Sequence, residues 1–339
     1  MKKIVVVGAG VMGTAIAIHL ANNQRPVRIW GTKWDKKAID KMKETGERKE
    51  LDVKVPSSIE FFYQHQLEEA VNGSDVVILA VTSEGIEAVT KELGPYLNDR
   101  HIILNVTKGI DEHSLRTIST VIEQSLPEEL RAKIPVVKIG GPIIAKELAH
   151  SMYTEAVFAS KDDRATKVAK KAFDSPTFKG NISSDIDGVD LCAAFKNSYA
   201  IGMGIMSGVE VDTNNSKAAL MARGTVEMSV IVEAYGGCLR TASGIAGIGD
   251  YYVTSQGGRN GIFGKHIGEG ATHEEAFERM GTRTIEGLAA TRNGYRLLEE
   301  LEHDGRIEIA KDVPFFNEIY QILFEGKDAK EAVGNYWSQ

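Results

Sequence analysis

Five short segments gather glycines, lysines, amides and acids in patterns suited to binding anions and moving protons. The first is Gly8-Ala9-Gly10-Val11-Met12-Gly13, directly after a β-branched run. Here the first glycine permits a tight turn, the second admits a pyrophosphate to the backbone, and the third lets helix and strand pack closely. A diphosphate then rests on the positive end of the helix. The second is Asn105-Val106-Thr107-Lys108-Gly109, after an apolar run. Open α/β sheets place ligands at such strand ends, so Lys108 is either a ligand group or a solvent-facing loop residue. The third, Gly140-Gly141-Pro142-Ile143-Ile144-Ala145, also follows an apolar run. Its glycines either bring backbone to a ligand or make a turn.

The fourth segment, Ala193-Ala194-Phe195-Lys196-Asn197, lies in an apolar helical pattern. Lysine and asparagine together there are costly unless paired, although a lysine can also snorkel to water. The fifth is Gly247-Ile248-Gly249-Asp250, then Thr254, then Gly257-Gly258-Arg259-Asn260. Arg259 offers a planar fork for a phosphate and Asn260 an amide donor; the bland alternative is a glycine-rich surface turn.

The cofactor's adenosine end is read from the close of the second strand. An acid there would hold the ribose hydroxyls. The chain instead has Trp30-Gly31-Thr32-Lys33, with no acid before Asp35. Lys33, Lys36 and Lys37 either meet a 2′-phosphate or form a solvated helix start. Both NAD and NADP stay open, with a lean towards tolerance of NADP.

Alternating apolar runs and helical stretches must position these segments. Strands are expected at 3–7, 27–30, 75–81, 101–106, 134–139, 155–159 and 177–182, with helices at 13–21, from Asp35, and at 163–173. Unbroken apolar runs suit a parallel sheet covered on both faces. Beyond 185–188 strand signals nearly vanish, and helical periodicity runs through 189–206, 216–235, 286–301 and 313–324. The expected fold is α/β: a doubly wound, Rossmann-like sheet domain over 1–184, then an all-helical domain over 185–339.

The chain has 339 residues, 42% apolar and 26% charged, which suits two packed domains rather than disorder. A formal charge of -7 argues against nucleic-acid or general membrane binding. No apolar run is long enough to span a bilayer, and the start lacks a signal-peptide cleavage pattern. Cys192 and Cys238 are expected as buried, reduced thiols of a cytoplasmic protein. The eight histidines show no ligand spacing, so no metal is expected.

Together these segments resemble the NAD(P)-dependent glycerol-3-phosphate dehydrogenases over nearly the whole chain, from Gly8 to about Gly334. Lys108-Gly109, Ala194 to Asn197, Gly247 to Asp250, Gly258 to Asn260 and Ile285-Glu286-Gly287 carry the likeness. The resemblance implies that Lys196 accepts the C2 hydroxyl proton. It implies that Lys108 binds substrate and polarises the C2 oxygen. Asp250 and Thr254 would line the substrate pocket, with Asp250 balancing the lysines, and Asn197 would touch substrate. Arg259 and Asn260 would clamp the phosphate, and Gly141 would offer a backbone contact. Gly8, Gly10, Val11, Met12, Gly13, Lys33, Lys108, Ala145, Arg259 and Glu286 would face the cofactor. A homodimer is the family expectation. The chain departs from the bacterial pattern at Ile143 and Gly258, where serines are frequent, at Val11 and Met12, and at Asp190 and Phe195.

Oxidising an alcohol requires a cofactor beside the carbon, a base for the proton and positive charge near the oxygen. A lysine serves as base only if its pKa falls from about 10.4 towards neutrality, and a second cation with partial burial pushes it that way. Another phosphorylated polyol or sugar acid is the alternative substrate. β-Hydroxyacid dehydrogenases set an asparagine one helical turn after their lysine, whereas this chain has Ala200 there. A cofactor-sensing protein without turnover would not need both lysines, Asp250 and Arg259-Asn260.

Overall fold

The computed structural model describes residues 2–209, 213–282 and 284–338. Two compact units emerge: residues 1–108 with 118–186, and residues 109–117 with 187–339. Each has its own apolar core.

The first unit is built on a sheet of eight strands: β1 (Ile4–Val7), β2 (Val27–Trp30), β3 (Glu60–Phe62), β4 (Val76–Leu79), β5 (Ile102–Asn105), β6 (Val136–Gly140), β7 (Thr154–Ala159) and β8 (Phe178–Ser183). Their order is β8-β7-β6-β5-β4-β1-β2-β3. The order reverses beside β1, the switch point where such sheets bind ligands. Every residue of β1, β4 and β5 is buried, because α1 (Val11–Asn22), α2 (Lys36–Thr45), α3 (Ser83–Leu93), α4 (Ile118–Ser125) and α5 (Asp163–Phe173) belong to the same unit. Within this sheet all the pairings are parallel except one. β6 and β7 run antiparallel, so the sheet is mixed. Their connection holds only the five-residue helix Ala145–Ala149, and it returns the chain in the opposite direction.

The second unit is mainly helical among its described residues, with one isolated antiparallel bridge between Ile110 and Thr117. Its longer helices are α6 (Ile186–Val209), α7 (Asn214–Tyr235), α8 (Asp250–Ser255), α9 (Arg259–Gly268), α10 (His273–Met280), α11 (Glu286–His303), α12 (Pro314–Phe324) and α13 (Ala329–Ser338). Residues 109–117 extend this unit beyond the single cut expected at 184. Asn293 Nδ2 donates to Ile110 O at 3.0 Å, Arg296 donates to Glu112 O at 2.8 Å, and Ile110 joins the helical core. No helix among the described residues is long and apolar enough to cross a membrane. Cys192 is buried as expected, but Cys238 is exposed. The Gly236-Gly237 turn that closes α7, with Gly236 at φ +107°, carries it out of the core.

α6 and α9 meet along a glycine seam. A Cβ on Gly204 would stand 2.1 Å from Gly261 O, and one on Gly264 would stand 2.1 Å from Ile201 O. Gly208 and Gly268 repeat the contact at 2.2 Å one turn further on. Backbone against backbone cannot yield as a side chain can. The seam therefore fixes the spacing of the helices that carry Lys196-Asn197 and Arg259-Asn260. Gly264→Ala should cost about 1–3 kcal/mol through overpacking, despite alanine's better helix propensity. That lowers Tm by about 2–4 °C per kcal/mol. Scanning calorimetry checks this; a Tm at or above wild type would mean the helices are not in backbone contact.

Candidate active site

In the sheet unit, β1 ends at Val7 and the chain turns through Gly8 at φ +113°. A Cβ there would lie 2.6 Å from Ala80 O, and a Cβ on Gly13 would lie 2.1 Å from Gly8 O. Both positions demand glycine. A Cβ on Gly10 would meet nothing within 4 Å, because Gly10 borders an open cleft. Gly10 caps α1 without a side-chain hydrogen bond, and the first turn carries no acid. The exposed N–H groups and positive helix end suit a diphosphate. The residues present thus fit a dinucleotide.

The same cleft is lined by Thr32, Lys33, Trp34 and Asp35. Asp35 is turned back on its own loop. Its Oδ2 accepts from Thr32 N at 2.9 Å and from Thr32 Oγ1 at 2.8 Å. Lys36 pairs with Asp40 at 2.8 Å, whereas the Lys33 ammonium lies 5.0 Å from the Trp34 ring centroid. Of the lysines weighed from sequence, Lys33 is the one on the cleft wall.

Lys108 follows β5 on a tightly held loop. Asn105 Oδ1 accepts Thr107 N at 2.8 Å, and Thr107 Oγ1 donates to Val81 O at 2.7 Å. Lys138, fully buried on β6, donates to Thr107 O. Half-buried Lys108 lines a small apolar pocket with Met12, Gly141 and Ile143. The sheet unit thereby brings together Met12, Lys108 and Gly141. Val11 is exposed at the start of α1. Ala145 lines neither hollow; it packs against the sheet core.

In the helical unit, Lys196 is 4% exposed and Asp250 2%. Lys196 Nζ donates to Asp250 Oδ1 at 2.8 Å and also to Thr254 Oγ1. Thr254 Oγ1 in turn donates to Asp250 O at 2.7 Å. Asp250 and Thr254, four residues apart, share one face of α8. A π-helical turn, Ile245–Gly249, delivers Asp250 into this position. A Cβ on Gly247 would stand 2.0 Å from Ala242 O, so the turn requires that glycine.

Asn197, next along α6, faces α9. Asn260 Nδ2 donates to Asn197 Oδ1 at 3.1 Å, and Asn260 Oδ1 accepts Gly287 N at 3.0 Å. Asn260 thus ties α6, α9 and α11 together while buried. Arg259 sits half-exposed at the head of α9 and pairs with Glu286 at the head of α11. No side chain caps α9 at Gly258. The helical unit therefore gathers Lys196, Asn197, Asp250, Thr254, Arg259, Asn260 and Glu286.

The sequence matches the NAD-dependent glycerol-3-phosphate dehydrogenase N-terminus over residues 3–166 and the corresponding C-terminus over residues 185–334. The chain belongs to this family. It is 33% identical to the NADP(+)-dependent glycerol-3-phosphate dehydrogenase of Archaeoglobus fulgidus, over 97% of each chain. It is 36% identical to the glycerol-3-phosphate dehydrogenase [NAD(P)+] of a Thermoanaerobacter species, over 98% of this chain and 95% of that one. The crystal structure of the Coxiella burnetii glycerol-3-phosphate dehydrogenase superposes with a TM-score of 0.86 at 29% identity, covering 100% of this chain and 99% of that one.

Sequence reasoning missed Glu227. It is 1% exposed on α7 and accepts from Phe315 N, Phe316 N and Tyr199 Oη at 2.8, 2.9 and 3.0 Å. Burial pushes its carboxyl up to about 7, against the pull of those three donors. A signal existed: Leu220, Gly224, Glu227 and Ile231 form one buried helical stripe, on which a carboxylate is out of place. Lys138 carried the same kind of signal inside an apolar strand.

Breaking a buried ion pair strands a charge, at a cost of about 3–5 kcal/mol. Asp250→Ala should lose that much stability. The double variant Lys196→Met/Asp250→Leu should regain most of it, because apolar replacement of a buried pair is close to neutral. Chemical denaturation measures both; a single variant as stable as wild type would mean that Lys196 is solvated.

Proposed function

We propose that this chain interconverts sn-glycerol 3-phosphate and dihydroxyacetone phosphate with NAD(P) as the hydride carrier. The observation that carries this reading is the buried Lys196 ammonium held by Asp250 and Thr254, in a member of this family. In reduction the Lys196 ammonium gives its proton to the C2 oxygen and is left as the neutral amine; in oxidation that neutral amine takes the C2 hydroxyl proton and becomes the ammonium again. Asp250 and Thr254 aim the amine and hold it in one rotamer. Lys108 binds substrate and polarises the C2 oxygen. Gly141 adds a backbone contact and Asn197 a polar one. Arg259 and Asn260, with the uncapped head of α9, clamp the phosphate, and that binding energy holds the reacting carbon in place. The phosphate displaces Glu286 from part of the Arg259 fork.

Bound NAD(P) supplies the nicotinamide that exchanges hydride with C2. Gly8, Gly10 and Gly13, with Val11 and Met12 at the start of α1, cradle its diphosphate. Lys33 meets the adenosine ribose, where a 2′-phosphate is favoured over a bare hydroxyl because Asp35 is committed to Thr32. Lys108, Ala145, Arg259 and Glu286 complete the cofactor contacts. The enzyme is read as a cytoplasmic homodimer, on family resemblance.

Initial rates of dihydroxyacetone phosphate reduction, with NADH and NADPH in parallel, test this reading. Both cofactors should turn over. Lys33→Glu should raise KM for NADPH about tenfold, the worth of one charge-assisted contact, and leave NADH within about twofold. Faster turnover of another phosphorylated polyol with NAD(P)+, compared with sn-glycerol 3-phosphate under the same conditions, would overturn the substrate assignment.

A further inference from the structure

Glu227 stands where three elements of the helical unit converge. α12 begins at Pro314, which has no N–H, and its N-cap Val313 offers no side-chain cap. The next two N–H groups, of Phe315 and Phe316, would be orphaned in an apolar core. Glu227 accepts both from a different helix, placing a carboxylate at the positive end of α12. Its Oε2 also takes the hydroxyl of Tyr199.

Tyr199 lies on α6 three residues after Lys196, so the two side chains occupy successive turns of one helix. Its ring is fully buried and packs on Phe315 and Phe316, with centroids 5.5 and 5.7 Å away. It also packs on Tyr251 at 5.9 Å, and the Tyr251 hydroxyl reaches Tyr199 O at 3.5 Å. Tyr251 directly follows Asp250. One carboxylate therefore holds the helix that bears Lys196, and through a tyrosine pair it braces the helix that bears Asp250.

We infer that Glu227 is a positioning residue for the proton acceptor: it fixes the rotation of α6 and its register against α8, so that the Lys196 ammonium meets Asp250 and Thr254. This rests on the reading of Lys196 given above, although Glu227 touches neither Lys196 nor Asp250 in the contacts described. Arginine or lysine is the usual partner of an interior carboxylate. Here the donors closest to the carboxylate are backbone and tyrosine groups. They fix direction as well as charge. Glutamine has the shape of glutamate but turns an N–H₂ towards these donors, so it cannot accept all three.

The test uses the full-length enzyme and two readouts. One is steady-state kinetics. The other is the rate of reductive methylation of Lys196, followed by peptide mass spectrometry, with fully buried Lys138 of the sheet unit as internal reference. In Glu227→Gln, kcat should fall about ten- to hundredfold, as for misplacement of a reacting group by an ångström or less. KM for dihydroxyacetone phosphate and Kd for NADPH should stay within about twofold, and Lys196 should methylate about tenfold faster with Lys138 unchanged. A cooperatively folded Glu227→Gln with wild-type kcat and wild-type Lys196 protection overturns the inference. So does equal loss of protection at Lys138, which would mean general loosening. If Glu227→Gln does not fold, Tyr199→Phe removes one hydroxyl and carries the same two readouts in the same directions. A wild-type enzyme inactive on dihydroxyacetone phosphate would sink the functional reading alone, and the methylation comparison would still decide the role of Glu227.

Discussion

A single ammonium group taken out of water sets the terms for the helical unit. Lys196 is almost wholly buried, and an uncompensated charge in such a place would cost several kcal/mol. Asp250 and Thr254 offset that cost by arriving at hydrogen-bond distance, and they come from a segment 54 and 58 residues further along the chain. The surrounding features follow from that demand. A π-helical turn aims Asp250, a glycine seam sets the distance from α6 to α9, and Asn260 links α6, α9 and α11. A buried lysine held in this way is also unusually well directed. That direction is what a proton acceptor needs and a surface lysine lacks.

The sheet unit answers a different constraint, the need to bring backbone close to a polyanion. Its device is subtraction of side chains. Gly8 and Gly13 are required by their own neighbours, whereas Gly10 has empty space where a Cβ would point. Positive charge enters as Lys33 on a cleft wall that also carries Asp35, Glu84 and Glu92, and as Lys108 on a loop held through Asn105, Thr107 and Lys138. Asp35 Oδ2 is folded back onto Thr32 at the edge of the same cleft.

Much of this was legible before any coordinates, and unevenly so. The glycine loop could be read because its logic is local: strand, turn and helix start lie within ten residues. β2 and α5 were legible to the residue for the same reason, as apolar period and helix periodicity are local signals. The antiparallel step from β6 to β7 was not, because an apolar run looks the same in either direction. β3 was missed because it is three residues long and begins with exposed Glu60. Residues 109–117 read as part of the sheet domain, yet they pack with α11 through Asn293 and Arg296. At the site, sequence showed that Lys196 in an apolar helix needs a partner, but only family resemblance pointed to Asp250. Spacing cannot encode a contact across 54 residues. Cys238 was expected inside from its apolar neighbours, and the double glycine before it decides otherwise.

The central claim is that the Lys196 amine itself moves the substrate proton. Chemical rescue tests it most directly: Lys196→Ala is assayed alone and with added small primary amines, at fixed pH and saturating cofactor. The account predicts a loss of about 10²–10⁴-fold in the variant, the usual worth of a positioned acid–base group. It further predicts partial recovery that rises with amine concentration, and with the free-base fraction of the amine when glycerol 3-phosphate is oxidised or its protonated fraction when dihydroxyacetone phosphate is reduced. A folded Lys196→Ala enzyme that turns over at the wild-type rate with no amine present would contradict it.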